Sequence, residues 1–310
     1  MSAAGAAGAA SDARAFDSAW LALREPFDLA ARGMAWRSVD LAARAREWRG
    51  DASTLNVVDL ACGSGANLRA LAPRLPGAQQ WTLVDHDTAL LAALPAALRA
   101  WAEGAGFDVR AHGSGLHIAG DGWHAEVAPM QHDLAAELPR VPLARAQLVT
   151  ASALLDLVSG AWFDALLAQG TAVPAWLFAL SVDGRTTWAP ADTDDAAVDT
   201  LFAAHQLRDK GFGPALGPAA PAHAAQRLQA SGHAVQAMPS DWHIAAAAGP
   251  RDAALLRALI ESMAKAAGEQ APSMRGRIAA WQQRRLAALA ATRLTIGHID
   301  LLATRSPVPR

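Results

Sequence analysis

The chain has 310 residues, of which 52% are apolar and 18% charged, and its formal net charge is −2. This length suits one large α/β domain or two small ones, with enough apolar side chains for a sizeable core. A nearly neutral chain without a polybasic run argues against a nucleic-acid substrate. Its single cysteine excludes an intramolecular disulfide, and no apolar run reaches the roughly 18 residues of a membrane span.

The N-terminal region, residues 1–50, predicts a tail followed by a helical extension. Residues 1–11 are rich in Ala, Gly and Ser and lack a basic start or a leucine-rich centre, so we expect a disordered tail on a cytoplasmic protein rather than a signal peptide. Residues 12–48 predict two helices. The first ends near Arg24, and the second has Pro26 in its first turn, where a missing N–H group costs nothing.

A strand, a glycine turn and a helix follow in residues 55–71, which read LNVVDLACGSGANLRAL. This succession builds the nucleotide site at the first crossover of a doubly wound α/β fold. Asp59 ends the strand. A carboxylate here would repel a doubly anionic pyrophosphate, whereas it suits a ligand that carries an ammonium group.

A second strand ends at Asp85, which lies 20 residues after Gly65. An acidic residue at this place and distance hydrogen-bonds ribose hydroxyls in nucleotide-binding folds. His86 follows and is expected to line the adenosine edge. The sequence therefore predicts a nucleoside at this strand end.

The middle of the chain predicts three further parallel strands. Gly-Ser-Gly and Gly-Asp-Gly turns in 106–134 indicate a β-hairpin that leads into the third strand, and its four histidines lack the spacing of a zinc site. Residues 146–150 form the fourth strand, with Ser152 and Asp156 after it. The fifth strand is predicted over 176–182.

The last part predicts an insert, four helices and a closing strand. Residues 184–217 interrupt the expected alternation and predict a substrate lid beside the active edge. Residues 250–292 predict a helical insert of two amphipathic helices. The sequence LTIGHIDLLATR predicts a last strand that runs antiparallel to its neighbours. The remaining expected elements are helices over 196–207 and 220–231 and a strand over 233–238.

The pattern Asp59-x-Ala61-x-Gly63-x-Gly65 resembles the first motif of class I S-adenosylmethionine-dependent methyltransferases of the small-molecule type, which usually have glycine where Ala61 stands. The resemblance covers about residues 51–182. In small-molecule methyltransferases a helical extension before the first strand closes over the cofactor and substrate, so the resemblance implies that the N-terminal helices form a lid, with Arg32 or Arg24 facing the cofactor carboxylate or an acidic substrate. The resemblance implies an α/β fold with a doubly wound, seven-stranded sheet, mostly parallel with one antiparallel strand, in a domain spanning 51–310. It also implies S-adenosyl-L-methionine as the cofactor and transfer of its methyl group to a small molecule.

The resemblance places the cofactor against twelve residues. They are Asp59, Ala61, Cys62, Gly63, Gly65, Asn67, Asp85, His86, Asp133, Leu134, Ser152 and Arg32. In this family the residue at the position of Asp133 accepts a hydrogen bond from the adenine amino group.

The predicted catalytic base is His205, with Asp156 second and His223 and His243 as alternatives. The predicted substrate-binding residues are Gln206, Arg208, Lys210 and Phe212, whose charges indicate an acceptor with an anionic group and an oxygen or nitrogen nucleophile. No metal, nucleic acid or membrane is expected as a partner, and the oligomeric state is open. Two other classes stay open: a non-catalytic S-adenosylmethionine-binding protein, and an NAD(P)-dependent oxidoreductase, whose glycine pattern the turn fits loosely.

Overall fold

A ten-stranded sheet forms the centre of the protein. The computed structural model describes residues 18–305. The strands run in the spatial order β3-β4-β5-β2-β1-β6-β7-β10-β8, and β9 also pairs with β10. Their bounds are β1 Thr54–Leu60, β2 Gly77–Asp85, β3 Asp108–His112, β4 Gly115–Gly120, β5 Trp123–Gln131, β6 Leu148–Ser152, β7 Ala175–Ala189, β8 His233–Pro239, β9 Trp242–Ala245 and β10 Arg293–Arg305.

Nine α-helices in the described part of the chain accompany the sheet. They are α1 Ser18–Ala35, α2 Leu41–Arg49, α3 Ala66–Leu71, α4 Thr88–Gly104, α5 Gly160–Gln169, α6 Asp195–Gln206, α7 Ala220–Ala230, α8 Pro250–Gln270 and α9 Arg275–Ala287. None of the described helices is long and apolar enough to cross a bilayer.

The centre of the sheet is parallel. Strands β5, β2, β1, β6 and β7 pair in parallel in that order. Their central residues are buried because helices cover both faces, which explains the nearly continuous apolar runs of β1 and β6. The carboxyl ends of these five strands therefore meet at one edge, where ligands bind in folds of this class.

The expectation of seven strands with one antiparallel member is wrong. The sheet has ten strands, and two of them, β4 and β10, run against the others. The predicted hairpin adds β3 and β4 beside β5. The third addition is β9: the long strand β10 pairs with β8 over Ile299–Arg305 and with β9 over Arg293–Ile296, so β8 and β9 lie end to end along one side of it.

The predicted break at Pro26 is also wrong, because α1 runs through it without interruption. Arg24 and Asp28, one turn apart on either side of the proline, are joined by hydrogen bonds of 3.0 and 3.2 Å. Asp28 also accepts a hydrogen bond from the indole of Trp242. The ion pair within α1 and the tertiary contact with Trp242 hold both halves of the helix in line and outweigh the local cost of proline. The predicted tail and the start of the first helix lie outside the described residues.

The predicted lid, residues 184–217, begins as sheet rather than loop. Strand β7 continues to Ala189 and pairs with β10 along this extension. Helix α6 follows, and buried Arg285 of α9 pairs with Asp195 at its start. The segment is therefore tied to α8 and α9, the two helices that occupy the predicted insert 250–292.

Candidate functional site

A cleft opens at the carboxyl ends of β1, β2, β5 and β6, and α1 closes one side of it. Its described lining combines the glycine turn, the ends of the strands and one face of α1. The lining residues are Leu21, Arg24, Asp28, Ala61, Cys62, Gly63, Ser64, Ala66, Asn67, Asp85, His86, Asp87, Leu90, Asp133, Leu134, Ser152, Ala153, Leu154, Leu157, Lys210 and Phe212.

Three residues of the glycine turn after β1 have left-handed backbone, a conformation that favours glycine. Ala61, Gly63 and Gly65 have φ angles of 52°, 51° and 81°. Gly65 is the N-cap of α3, and a Cβ atom there would lie 2.8 Å from a methyl group of Leu94. Gly65 thus belongs to the packing beneath the turn. Gly63 and Ala61 line the cleft itself.

Asp85 lies in the cleft at the end of β2, and the turn holds its carboxylate in place. One oxygen accepts the Gly63 N–H at 2.8 Å, and the other accepts the Asp87 N–H at 3.0 Å. His86 Nδ1 lies 3.3 Å from the second oxygen. Burial raises the pKa of Asp85, but these hydrogen bonds outweigh burial and hold the pKa below its usual value. The cleft therefore presents a fixed, ionised carboxylate.

Asp59 does not line the cleft but acts on it through Asn67. Asn67 Nδ2 donates to Asp59 Oδ1 at 2.6 Å and to Thr150 Oγ1 at 3.0 Å. The Asn67 carbonyl accepts a hydrogen bond of 2.5 Å from the guanidinium of Arg32. Asp59 is fully buried, and burial raises its pKa to about 7. The predicted cofactor residues Asp59 and Arg32 thus form a layer behind Asn67, and Arg32 stacks on the ring of Trp36.

Left-handed backbone at residues other than glycine recurs in three neighbouring strand regions. Besides Ala61 after β1, Ala153 after β6 and Leu180 in β7 have φ angles of 54° and 56°. Leu180 follows directly on the part of β7 that pairs with β6. A left-handed residue other than glycine costs about 1–2 kcal/mol. Such strain is concentrated at functional sites, and here it marks the edge that carries the cleft.

Helix α1, which belongs to the predicted N-terminal helical extension, supplies one wall of the cleft. Leu21, Arg24 and Asp28 line the cleft. Their spacing of three and four residues places them on one helix face, so the helical periodicity carries the signal that identifies them. Arg24 also lies over the Trp242 ring at 5.0 Å, which joins α1 to β9.

Most of the other predicted cofactor residues lie in the cleft. Asp133 and Leu134 line it after β5, Ser152 lines it at the end of β6, and His86 and Cys62 complete this group. The Leu134 carbonyl accepts a hydrogen bond from the indole of Trp162, which fixes this part of the wall. Burial, together with the charges of neighbouring carboxylates, raises the pKa of the Cys62 thiol well above its usual value.

The structure separates the predicted catalytic and substrate residues into two groups. Lys210 and Phe212 line the cleft. His205, Gln206 and Arg208 do not. His205 Nε2 lies 3.1 Å from a carboxylate oxygen of Glu269, and Arg208 donates to the side chain of Gln270. These contacts turn the end of α6 towards α8.

Asp156 and the two alternative histidines also lie off the cleft surface. Burial raises the pKa of Asp156, and the charges of Arg24 and Lys210, both cleft residues, oppose that rise. Its Oδ1 atom is buried without a hydrogen-bond partner among the described residues. His243 faces Thr295 in the β9–β10 pair. His223 lies on α7 and packs against Phe163, and its Nε2 atom is buried.

The charges around the cleft favour a cationic ligand near the glycine turn. Four carboxylates line the cleft, those of Asp28, Asp85, Asp87 and Asp133, against two cations, Arg24 and Lys210. Arg24 is paired with Asp28. A pyrophosphate bound at this turn would meet several negative charges in a partly dry site. Within 18–305, no group of His, Cys, Asp and Glu side chains has the arrangement of a metal site.

Comparisons with known proteins find similarity of structure only. No protein-family model matches the sequence, and no curated protein matches it. One similar solved structure is a cyclopropane-fatty-acyl-phospholipid synthase-like protein from Lactobacillus casei, with 13% identity, a TM-score of 0.45 and coverage of 90% of this chain and 91% of that one.

Two other similar structures are S-adenosylmethionine-dependent methyltransferases in complex with S-adenosylhomocysteine. The one from Thiobacillus denitrificans has 16% identity and a TM-score of 0.40, and covers 87% of this chain and 96% of its own. The one from Geobacter sulfurreducens has 12% identity and a TM-score of 0.39, with coverage of 91% and 98%. Similarity at this level carries no argument about function, which rests on the cleft itself.

Proposed function

We propose that the protein transfers the methyl group of S-adenosyl-L-methionine to an oxygen or nitrogen atom of a small molecule. The observation that carries this proposal is the carboxylate of Asp85, which is held ionised at the glycine turn by the N–H groups of Gly63 and Asp87. Each carboxylate oxygen can accept a further hydrogen bond. Asp85 thus suits the diol of a ribose, and the acidic surroundings suit a ligand without phosphate.

The residues around the cleft fit the three parts of this cofactor. Asp85 would hold the ribose, and Asp133 with Leu134 and His86 would surround the adenine. The methionyl end would meet Asn67, whose amide is oriented by buried Asp59. Asn67 presents this end with a polar side chain that Asp59, Thr150 and Arg32 hold in one orientation. Arg32, one of the predicted cofactor residues, is buried behind Asn67, so Arg24 is the arginine that faces the cleft.

Bound S-adenosylmethionine supplies a methyl group that its sulfonium already activates. The chain then has to bind the acceptor in line with that methyl group and exclude water. Leu154, Leu157 and Phe212 form an apolar part of the lining beyond the end of β6, which suits an acceptor with an apolar portion. An acceptor that arrives protonated also needs a base. Of the two cations that indicated an anionic acceptor, only Lys210 faces the cleft.

The test compares thermal unfolding of the protein alone, with S-adenosylhomocysteine and with NAD. A ligand at about 100 times its Kd stabilises the folded state by roughly 2.7 kcal/mol, which raises the Tm by a few degrees. We expect this shift with S-adenosylhomocysteine only. A shift with NAD alone would contradict the proposal and support an oxidoreductase.

The variant Asp85→Asn tests the anchoring carboxylate. A hydrogen bond to a charged group contributes about 1.5–3 kcal/mol, so we expect affinity for S-adenosylhomocysteine to fall by about 10- to 100-fold. Asp40→Asn is the matched control, because Asp40 also accepts a backbone N–H, that of Ala43, but caps α2 away from the cleft. Equal affinity in both variants would show that Asp85 does not bind the ribose. Methyl transfer from labelled S-adenosylmethionine to a panel of phenols and amines then distinguishes an enzyme from a non-catalytic binding protein.

A further inference from the structure

Lysine is rare in this chain and one of its lysines faces the cleft. Of the 27 basic residues, only Lys210 and Lys265 are lysines. Lys265 is exposed on α8. Lys210 is half-buried and lines the cleft together with Phe212. Arginine stays protonated in proteins, whereas a buried lysine can lose its proton and act as a base. The cleft therefore contains one amine whose protonation can change.

The loop that carries Lys210 is held in a defined conformation. The Asp209 carboxylate accepts hydrogen bonds from the N–H groups of Gly211 and Gly213, at 2.6 and 3.0 Å. Both glycines have left-handed φ angles, of 96° and 85°. Phe212, between them, packs edge-on against Trp162 with ring centroids 5.3 Å apart. These contacts direct Lys210 and Phe212 into the cleft while Arg208 turns to α8.

A buried carboxylate accompanies Lys210. Asp156 lies close enough for the charges of the two groups to act on each other. Burial lowers the pKa of Lys210, and the charge of Asp156 opposes this effect while that of Arg208 adds to it. Burial raises the pKa of Asp156. Burial thus favours the neutral form of both groups.

The other candidate bases are engaged elsewhere. His205 faces Glu269 away from the cleft. His86 contacts Asp85 at the nucleoside end. Arg24 is paired with Asp28 and is not a base. Lys210 is the remaining basic side chain in the described lining, and it lies beside the apolar residues where an acceptor would bind.

We infer that Lys210, rather than His205, is the residue that takes the proton of the methyl acceptor, and that Asp156 is its positioning partner. This inference rests on the proposed function. The neutral amine of Lys210 accepts the proton of an O–H or N–H group, the acceptor atom forms its bond to the methyl carbon, and the carbon–sulfur bond breaks with its electrons left on sulfur. The proton leaves the resulting ammonium for water. The acceptor class is a weakly acidic hydroxyl or N–H compound with an apolar portion.

Competitive acetylation with trace acetic anhydride tests this role without a known acceptor. The reagent modifies only neutral amines, and peptide mass spectrometry reads Lys210 and Lys265 in the same sample across a range of pH. The protein is titrated in complex with S-adenosylmethionine and with S-adenosylhomocysteine, which differ by the one positive charge at sulfur. Thermal unfolding first establishes that both ligands bind.

We expect Lys210 to titrate at a lower pH than Lys265 in both complexes. We also expect its midpoint to be lower by about one pH unit with S-adenosylmethionine than with S-adenosylhomocysteine, because a positive charge several ångströms away disfavours the ammonium. Lys265 should titrate alike in both. In Asp156→Asn the Lys210 midpoint should fall further, since an attractive charge is lost, whereas a merely structural role of Asp156 would leave it unmoved.

Three results would overturn the inference while leaving the proposed function intact. They are a Lys210 midpoint at or above that of Lys265, the same midpoint with both ligands, and no acetylation of Lys210 at any pH, since acetic anhydride is comparable in size to a small phenol and an amine that contacts the acceptor must be accessible to it. If neither ligand raises the Tm, the proposed function itself fails. Once an acceptor is found, Lys210→Arg should abolish transfer as fully as Lys210→Met, whereas Lys265→Met should leave it unchanged.

Discussion

The buried carboxylate of Asp59 should make the protein less stable as the pH rises from 4 to 7. Asp59 is fully buried at the end of β1, and its one side-chain hydrogen bond comes from Asn67. Burial raises its pKa from the usual 3.8 to about 7; the hydrogen bond from Asn67 and the charge of Arg32 oppose this rise, and the charge of Asp85 adds to it. In the unfolded chain the carboxyl group has its usual pKa near 4.

The sign of the effect follows from which state holds the proton. Above pH 4 the unfolded chain loses this proton, while the folded protein keeps it until about pH 7. The free energy of unfolding therefore falls between pH 4 and pH 7. Above pH 7 the ionisation of Asp59 no longer changes it. One pH unit corresponds to 1.36 kcal/mol, so the whole window amounts to about 4 kcal/mol and the part between pH 5 and pH 7 to about 3 kcal/mol.

Asp59→Asn isolates this contribution, because asparagine imitates the protonated carboxyl group and does not titrate. Urea unfolding of wild type and variant at pH 5 and pH 8 gives four free energies. We expect the free energy of unfolding of the variant, relative to that of the wild type, to be about 3 kcal/mol higher at pH 8 than at pH 5. The control Asp40→Asn, at an exposed helix cap, should show no such change. A difference for Asp59→Asn that is equal at both pH values would mean that Arg32 and Asn67 keep Asp59 ionised at pH 5, and the reasoning would be refuted.

Two further predictions concern the glycine turn, both measured by urea unfolding. Ala61→Gly should stabilise the protein by up to about 1 kcal/mol, because it relieves a left-handed alanine. The same change at Ala70, inside α3, should cost at least about 1 kcal/mol, and equal signs would contradict the strain at Ala61. Gly65→Ala should cost at least about 2 kcal/mol, since it adds a contact of 2.8 Å with Leu94 to the backbone strain. Gly63→Ala, whose added Cβ atom meets its nearest neighbour at 3.5 Å, should cost only the strain, and a larger loss there than at Gly65 would refute the packing argument.

The residues proposed to hold the nucleoside could be placed in the cleft from the sequence, because they follow directly on recognisable strands. Asp85, Asp133 and Ser152 each stand where an apolar run ends, and the carboxyl ends of neighbouring parallel strands must meet. Their place in the cleft depends on strand order alone. Asp59 also stands near the end of a strand, but its side chain is buried behind Asn67. The sequence pattern does not reveal this contact.

The residues proposed to face the methyl acceptor could not be identified from the sequence in the same way. His205 and Lys210 are five residues apart, and the choice of which one faces the cleft depends on how α6 packs on α8 and how the Asp209 turn bends the chain. The contacts between α6 and α8 join residues about 60 positions apart, such as Arg208 and Gln270. The passage of α1 through Pro26 has the same origin, since Trp242 holds Asp28 from the other end of the chain. Local pattern says nothing about such partners.

The strained strand ends and helix α1 depend on one buried network. Asp300, in the irregular stretch of β10, accepts the N–H of left-handed Leu180 at 2.8 Å and the indole N–H of Trp36 at 3.0 Å. Arg32, whose charge is felt by Asp300, reaches from α1 to Asn67 at the glycine turn. Buried polar and charged groups contribute little net stability but favour one arrangement over others in some proteins. The role of this network follows from its position: Arg32 in α1 donates to Asn67 at the glycine turn, and Trp36, directly after α1, donates to Asp300, which holds Leu180. The C-terminal end of α1 is therefore fixed to two of the three left-handed positions, and Glu25 in its first half is fixed to Arg69 of α3.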